Sequence, residues 1–338
     1  MAVRIAAVGW LVFVLAACGG TAATLPPATA PAATAAATTP DPTNAPGTPA
    51  VTEPPLEALE LLWEASGDTE PGTPYPGTFS PAVDPQTGDI WVTASASDNI
   101  WIFAADGTFK GSFGGPGTGP GEFEFTRPAC RDCPGAGALA FATDGSLFVA
   151  DVGNHRIQKF DPSHEFEREW GEFGAGDGQF ADAIQIATNG DEVFVSDDAR
   201  LDVQVFDLDG KLLRTLPTSG WLAVDAAGDL FISSNEGSLA RYDGSGPSGE
   251  PIELPDFRGG DHIGLAAADD GRLFFDYQDD RTGGAIGFGA IDASTGAGQT
   301  WSTGGETLTI ADDVLYQANY VSPGWPEAML RAYRVPEP

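Results

Sequence analysis

Oxygen-bearing side chains recur at one place in the pattern of this 338-residue chain. Asp151, Asp197, Asn235, Asp276 and Asn319 each stand at or just after the end of an apolar run. If those runs are equivalent strands, the five fall on one face of one fold. Grouped oxygen donors of this kind suit calcium. The competing reading, which we favour, is that each caps the turn behind it, because short polar side chains bond their own backbone there. Arg156 and Arg200 lie at the same strand ends, where an ion pair within the fold is expected. Asn154 stands beside them. Trp221, Tyr277, Tyr320 and Trp325 are either interface anchors around the rim or rings packed inside the fold. Of the three histidines, His155 and His164 sit in polar turns, and His262 follows Asp261 where a strand begins. We read His262 as a lone polar side chain in a loop. Cys130 and Cys133 are too few for a four-ligand zinc site, and no βαβ unit adjoins them for redox chemistry. They are expected to form a local disulfide outside the cytoplasm. Asp207-Leu208-Asp209-Gly210 has the opening of a calcium loop but lacks its further ligands, and reads as a hairpin turn. No Ser-His-Asp order, phosphate loop or nucleotide fingerprint is present.

These residues need a scaffold, and composition says which kind. Gly and Pro number 44 and 27, aromatics make up 10%, and no long stretch has a helical period. That combination points to an all-β fold of short strands. The formal net charge is −33, with only three lysines, Lys110, Lys159 and Lys211. Such a surface repels nucleic-acid phosphates and anionic lipid headgroups.

The first 17 residues combine Arg4 with an apolar run, Ile5 to Ala17. The run is shorter than the ~20 residues that span a bilayer, and reads as a signal peptide. Leu15-Ala16-Ala17-Cys18-Gly19 resembles a bacterial lipobox, which implies cleavage before Cys18 and a lipid on its sulfur. Residues 18–55 are rich in Ala, Thr and Pro and cannot bury enough surface to fold. They read as an extended tether holding residues 56–338 off the membrane.

From residue 79 the chain repeats. Each unit is an apolar strand, a short turn, a second strand with a large aromatic residue, a polar turn and a third strand, commonly followed by a fourth. The aromatic anchors are Trp91, Phe148, Phe194, Phe231, Phe274 and Tyr316, at separations of 37 to 57 residues. Six units of this size predict a six-bladed β-propeller. The sixth unit stops after three strands near Arg334, and an unpartnered strand lies far upstream at Leu59 to Trp63. The second can complete the first, closing the ring without a free edge at the seam.

The second unit resembles an NHL repeat through Asn154-His155-Arg156-Ile157 and Phe160-Asp161. Two connectors with one spacing strengthen the likeness: Phe113-Gly114 with Gly117, Gly119, Gly121 and Phe123, and Trp170-Gly171 with Gly174, Gly176, Gly178 and Phe180. The resemblance implies a six-bladed propeller that binds proteins, RNA or small molecules. It implies that Arg156 and Arg200 pair with acids of adjoining blades. Lyase relatives use zinc held by several histidines, for which this chain offers only His262. Lactonase-type propellers hold a divalent metal at the channel with Glu, Asn and Asp. The expected role is therefore a membrane-anchored, extracytoplasmic, monomeric binding or scaffold module without a cofactor. It would present one propeller face to a protein, peptide or glycan and bind no nucleic acid. The alternative is a calcium- or zinc-dependent lactonase or lyase.

Overall fold

In this computed structural model the described residues are 59–65, 78–126, 137–233, 238–254, 264–279, 285–294, 297–301, 307–318 and 330–336. All lie within one unit of the chain, Pro54–Pro338. Cys18, where a lipid is expected, residues 18–55, expected to be a tether, and Cys130 and Cys133, expected to form a disulfide, lie outside them.

Six antiparallel sheets follow one another along the chain. Blade 1 runs Thr78–Val83, Ile90–Ala94, Asn99–Phe103 and Phe109–Phe113. Blade 2 runs Gly137–Phe141, Leu147–Asp151, Arg156–Phe160 and Phe166–Trp170. Blade 3 runs Ala183–Thr188, Glu192–Asp197, Asp202–Asp207 and Leu212–Leu216. Blade 4 has Trp221–Val224, Leu230–Ser233 and Ser238–Asp243, and its outer edge is split between Gly246–Pro247 and Ile252–Glu253. Blade 5 runs Leu265–Ala267, Arg272–Asp279, Ala285–Asp292 and Gly298–Trp301. Blade 6 has Thr307–Ala311, Val314–Ala318 and Leu330–Arg334.

The fourth strand of blade 6 is Glu60–Ala65, from the other end of the chain. It pairs antiparallel with Leu330–Arg334, with a bulge between Leu61 and Trp63. The ring is therefore closed by hydrogen bonds between distant segments, as the sequence predicts. Trp63 fastens the closure to blade 1: its indole N–H donates to the Ala105 carbonyl at 2.8 Å.

The innermost strands pack in succession around a ring, the sixth against the first. They enclose a channel of ≈ 220 Å³ lined by residues such as Ala140, Ala187, Ala223 and Ala266.

The core is distributed over the seams between blades. Among the described residues there are six apolar clusters, one per seam. The two-residue period of a strand explains this: alternate side chains point to opposite sheet faces. In blade 2, Leu147 and Val149 pack toward blade 1, and Phe148 packs toward blade 3. All six aromatic anchors point into the seam with the following blade and are at most 5% exposed. Each such burial contributes about 2–3 kcal/mol.

Candidate functional site

Strand reversal puts two kinds of segment at the same end of every blade. One is the turn between the second and third strands; the other is the connector from the preceding blade. We call this end the connector face. Of the sequence candidates, Asp151, Asn154, Arg156, Asp197 and Arg200 lie there and can be traced to their partners. Asn235, His262, Asn319 and Trp325 lie outside the described residues. Tyr277 lies within the second strand of blade 5, Arg272–Asp279.

Blade 2 shows what its polar side chains do. Asp151 is fully buried. Its carboxylate accepts from the Glu124 backbone N–H at 2.8 Å, the Asn154 amide at 2.9 and 3.1 Å, Arg156 Nε at 2.9 Å and the Gln158 amide at 3.2 Å. Burial raises this carboxyl above its ordinary range, and the hydrogen bonds from Glu124, Asn154 and Arg156 and the Arg156 charge offset only part of the rise. Arg156 also donates to the carbonyls of Thr118, Gly119 and Glu122 and to the Glu169 carboxylate. Asn154 donates to the Gly117 carbonyl. Gln158 donates to the Glu122 carbonyl and accepts from the Gly121 N–H. All of these backbone partners belong to the connector between blades 1 and 2. Asp98, in the blade 1 turn, holds the same connector through the Phe125 N–H, and burial raises its carboxyl.

Blade 3 repeats the arrangement with different residues. The buried Asp197 carboxylate accepts from the N–H groups of Ala181, Asp182, Ala199 and Arg200. Gln204 accepts from Gly178 and donates to the Gln179 carbonyl. Arg200 pairs with Asp202 at 2.7 Å and donates to the Gly176 carbonyl at 2.9 Å.

Several expectations change here. The partners of Arg156 and Arg200 are acids of their own blade, because the neighbouring chain at each site is a connector that offers carbonyls. Asp276 stands one register earlier than Asp151 and Asp197. In blade 5 the anchor Phe274 precedes it by two residues, whereas Phe148 and Phe194 precede their aspartates by three. One residue flips a side chain to the opposite sheet face, so Asp276 does not join the other two. Trp221 is 9% exposed and packs among Phe231, Leu273 and Phe275 between blades 4 and 5, which settles its placement inside the fold. Asp151 and Asp197 cap connectors and turns, with their lone pairs met by the chain's own donors. Among the described residues no three His, Cys, Asp or Glu side chains converge as a metal centre. The 207–210 segment is the hairpin turn expected, with Asp207 accepting from the Asp209 and Lys211 N–H groups.

Two large apolar side chains on the connector face escaped the sequence reading. Phe173, in the connector entering blade 3, is 71% exposed, and Leu201, in the blade 3 turn, is 69% exposed. The His155 ring lies 4.8 Å from that of Phe173. Aligning the blades shows the signal. Phe173 stands where the first connector has Pro116, and Leu201 stands where blades 1 and 2 have Asp98 and His155. The opposite face has an acidic cavity of ≈ 730 Å³ lined by Asp84, Asp269, Asp270, Asp312 and Asp313, among others.

Comparison with known proteins agrees with this geometry. Residues 136–160 match the NHL repeat model. RING finger protein nhl-1 of Caenorhabditis elegans is 32% identical over 103 residues, which is 30% of this chain and 10% of that protein. The chain thus matches only about a tenth of that relative's length. A catalytically inactive virginiamycin B lyase of Staphylococcus aureus, crystallised with quinupristin, superposes with a TM-score of 0.52 at 14% identity. The superposition covers 81% of this chain and 88% of that one. Hydrazine synthase of Kuenenia stuttgartiensis gives 0.51 at 13% identity, covering 72% and 74%. At these identities the likeness is one of fold. The chain is a six-bladed β-propeller that carries an NHL repeat at residues 136–160.

Proposed function

We propose that this protein is a non-enzymatic binding module that presents its connector face to a ligand outside the cytoplasm. A lipid on Cys18 anchors it, and the tether of residues 18–55 holds the propeller clear of the membrane. The observation that carries this reading is how side chains are used on that face. Its buried polar groups, Asp151, Arg156, Gln158, Asp197 and Gln204, are spent on the chain's own connectors. Its exposed apolar groups, Phe173 and Leu201, are left to solvent. Saturated polar side chains are poor material for catalysis, whereas exposed aromatic and aliphatic side chains suit contact with a partner.

Photo-crosslinking in cells that make the protein tests this. A crosslinking amino acid replaces exposed Ala175 on the connector face or exposed Ala226 on the opposite face. A discrete adduct from position 175 and none from 226 is expected. Adducts from neither position, together with metal-dependent turnover of lactones or esters by the purified chain, would overturn the reading.

A further inference from the structure

Phe173 and Leu201 belong to two segments that are tied together. Arg200, next to Leu201, donates to the carbonyl of Gly176, three residues after Phe173. Phe173 is also held in place: it bridges in parallel to Phe180, and the His155 ring packs against its own. Leu201 adopts φ 60, in the left-handed region. Asp98 and His155 share that conformation at the equivalent turns, with φ 49 and 56. Asp and His tolerate it better than a bulky aliphatic residue does. Leu201 thus combines local strain with exposure, a pairing that nothing in the fold's packing requires, and such strain concentrates at functional positions.

The charges around the pair narrow the partner. The two segments, residues 171–182 and 197–201, contain one cation, Arg200, and it is neutralised by Asp202. Arg156 nearby is closed by Asp151 and Glu169. Glu172 and Asp177 are exposed and have no cationic partner among the described residues. An anionic ligand would be repelled. A neutral glycan would gain from the Phe173 ring but little from Leu201.

We propose that Phe173 and Leu201 are the docking point for a basic polypeptide segment. Its apolar side chains cover the pair, and its lysines or arginines face Glu172 and Asp177. This rests on the binding-module reading and specifies its partner.

The test is fluorescence anisotropy on the full chain with two labelled probes: a short leucine–lysine amphipathic peptide and a polylysine of equal charge. The comparison variant carries Phe173→Ser and Leu201→Asn. Both changes are at exposed positions, and asparagine accepts the left-handed backbone, so thermal melting should match or exceed that of the parent. The amphipathic peptide should bind the parent more tightly than polylysine does. It should lose about tenfold or more in affinity on the variant, the scale of a lost apolar anchor. Polylysine should not distinguish the two proteins. Equal binding of the amphipathic peptide to both proteins overturns the proposal, as does failure to outbind polylysine. If it fails while Ala175 still yields an adduct, the binding module stands and the basic partner falls. A neutral oligosaccharide that binds the parent and not the variant would replace the polypeptide with a glycan.

Discussion

Arg156 is a buried cation whose five N–H donors are all met inside the chain, by Asp151, Glu169 and the carbonyls of Thr118, Gly119 and Glu122. Guanidinium offers five donors in a rigid fork, and a lysine ammonium offers three from one point. Arg156 therefore acts as a clamp on the preceding connector. Removing it leaves the buried Asp151 without its cation and takes one donor from each of the three carbonyls, of which Glu122 keeps the Gln158 amide and Gly119 keeps the Glu122 N–H. Arg156→Ala should cost about 3–5 kcal/mol, and Arg156→Lys should recover only part of that. Urea denaturation midpoints for the three proteins check this. A change in Arg156→Ala below the scale of an exposed ion pair, about 0–1 kcal/mol, would remove the clamp.

At the scale of elements, neighbouring blades are fastened by an indole laid over a turn. In the hairpin between third and outer strands, Gly107 of blade 1 and Gly210 of blade 3 take positive φ, 84 and 81. Over them lie the outer-strand tryptophans of the preceding blades. A Cβ on Gly107 would meet the Trp63 ring at 2.7 Å, and one on Gly210 would meet Trp170 at 2.6 Å. Blade 2 has His164 at this position, also at positive φ. There the preceding outer strand ends in Phe113, and the imidazole fills the seam, 4.6 Å from the Trp91 ring. Gly210→Ala should destabilise by about 1–2 kcal/mol, through strain and the displaced indole. In a Trp170→Ala background its additional cost should shrink, which a double-mutant cycle of thermal melts measures. Strict additivity would mean that the indole and the turn are not coupled.

At the scale of the whole molecule, what was legible in the sequence is what is local or periodic. Strand alternation and turn residues reveal six blades, and the count leaves one strand short at Arg334 and one spare at Glu60. The ring closure follows from that mismatch and is found. The connector clamps were half legible. Asp151, Asn154 and Arg156 stand out as polar strand-end residues, but their connector partners are backbone groups 27 to 38 residues away, as in Asp151 to Glu124 and Arg156 to Thr118. Gln158 and Gln204, inside strands, gave no such signal. Asp276 was misgrouped because a strand slip of one residue reverses its side. The sequence leaves Trp221 open between rim and seam because its burial depends on the neighbouring blade. Phe173 and Leu201 became visible only once the blades were aligned position by position.

Strand-end carboxylates whose lone pairs are met by the connectors have none left for a metal ion. Elemental mass spectrometry of the chain purified without chelator decides whether that holds. Calcium and zinc are expected well below one equivalent, with a melting temperature that added calcium leaves unchanged. Near-stoichiometric metal that disappears in Asp151→Asn or Asp197→Asn would contradict it.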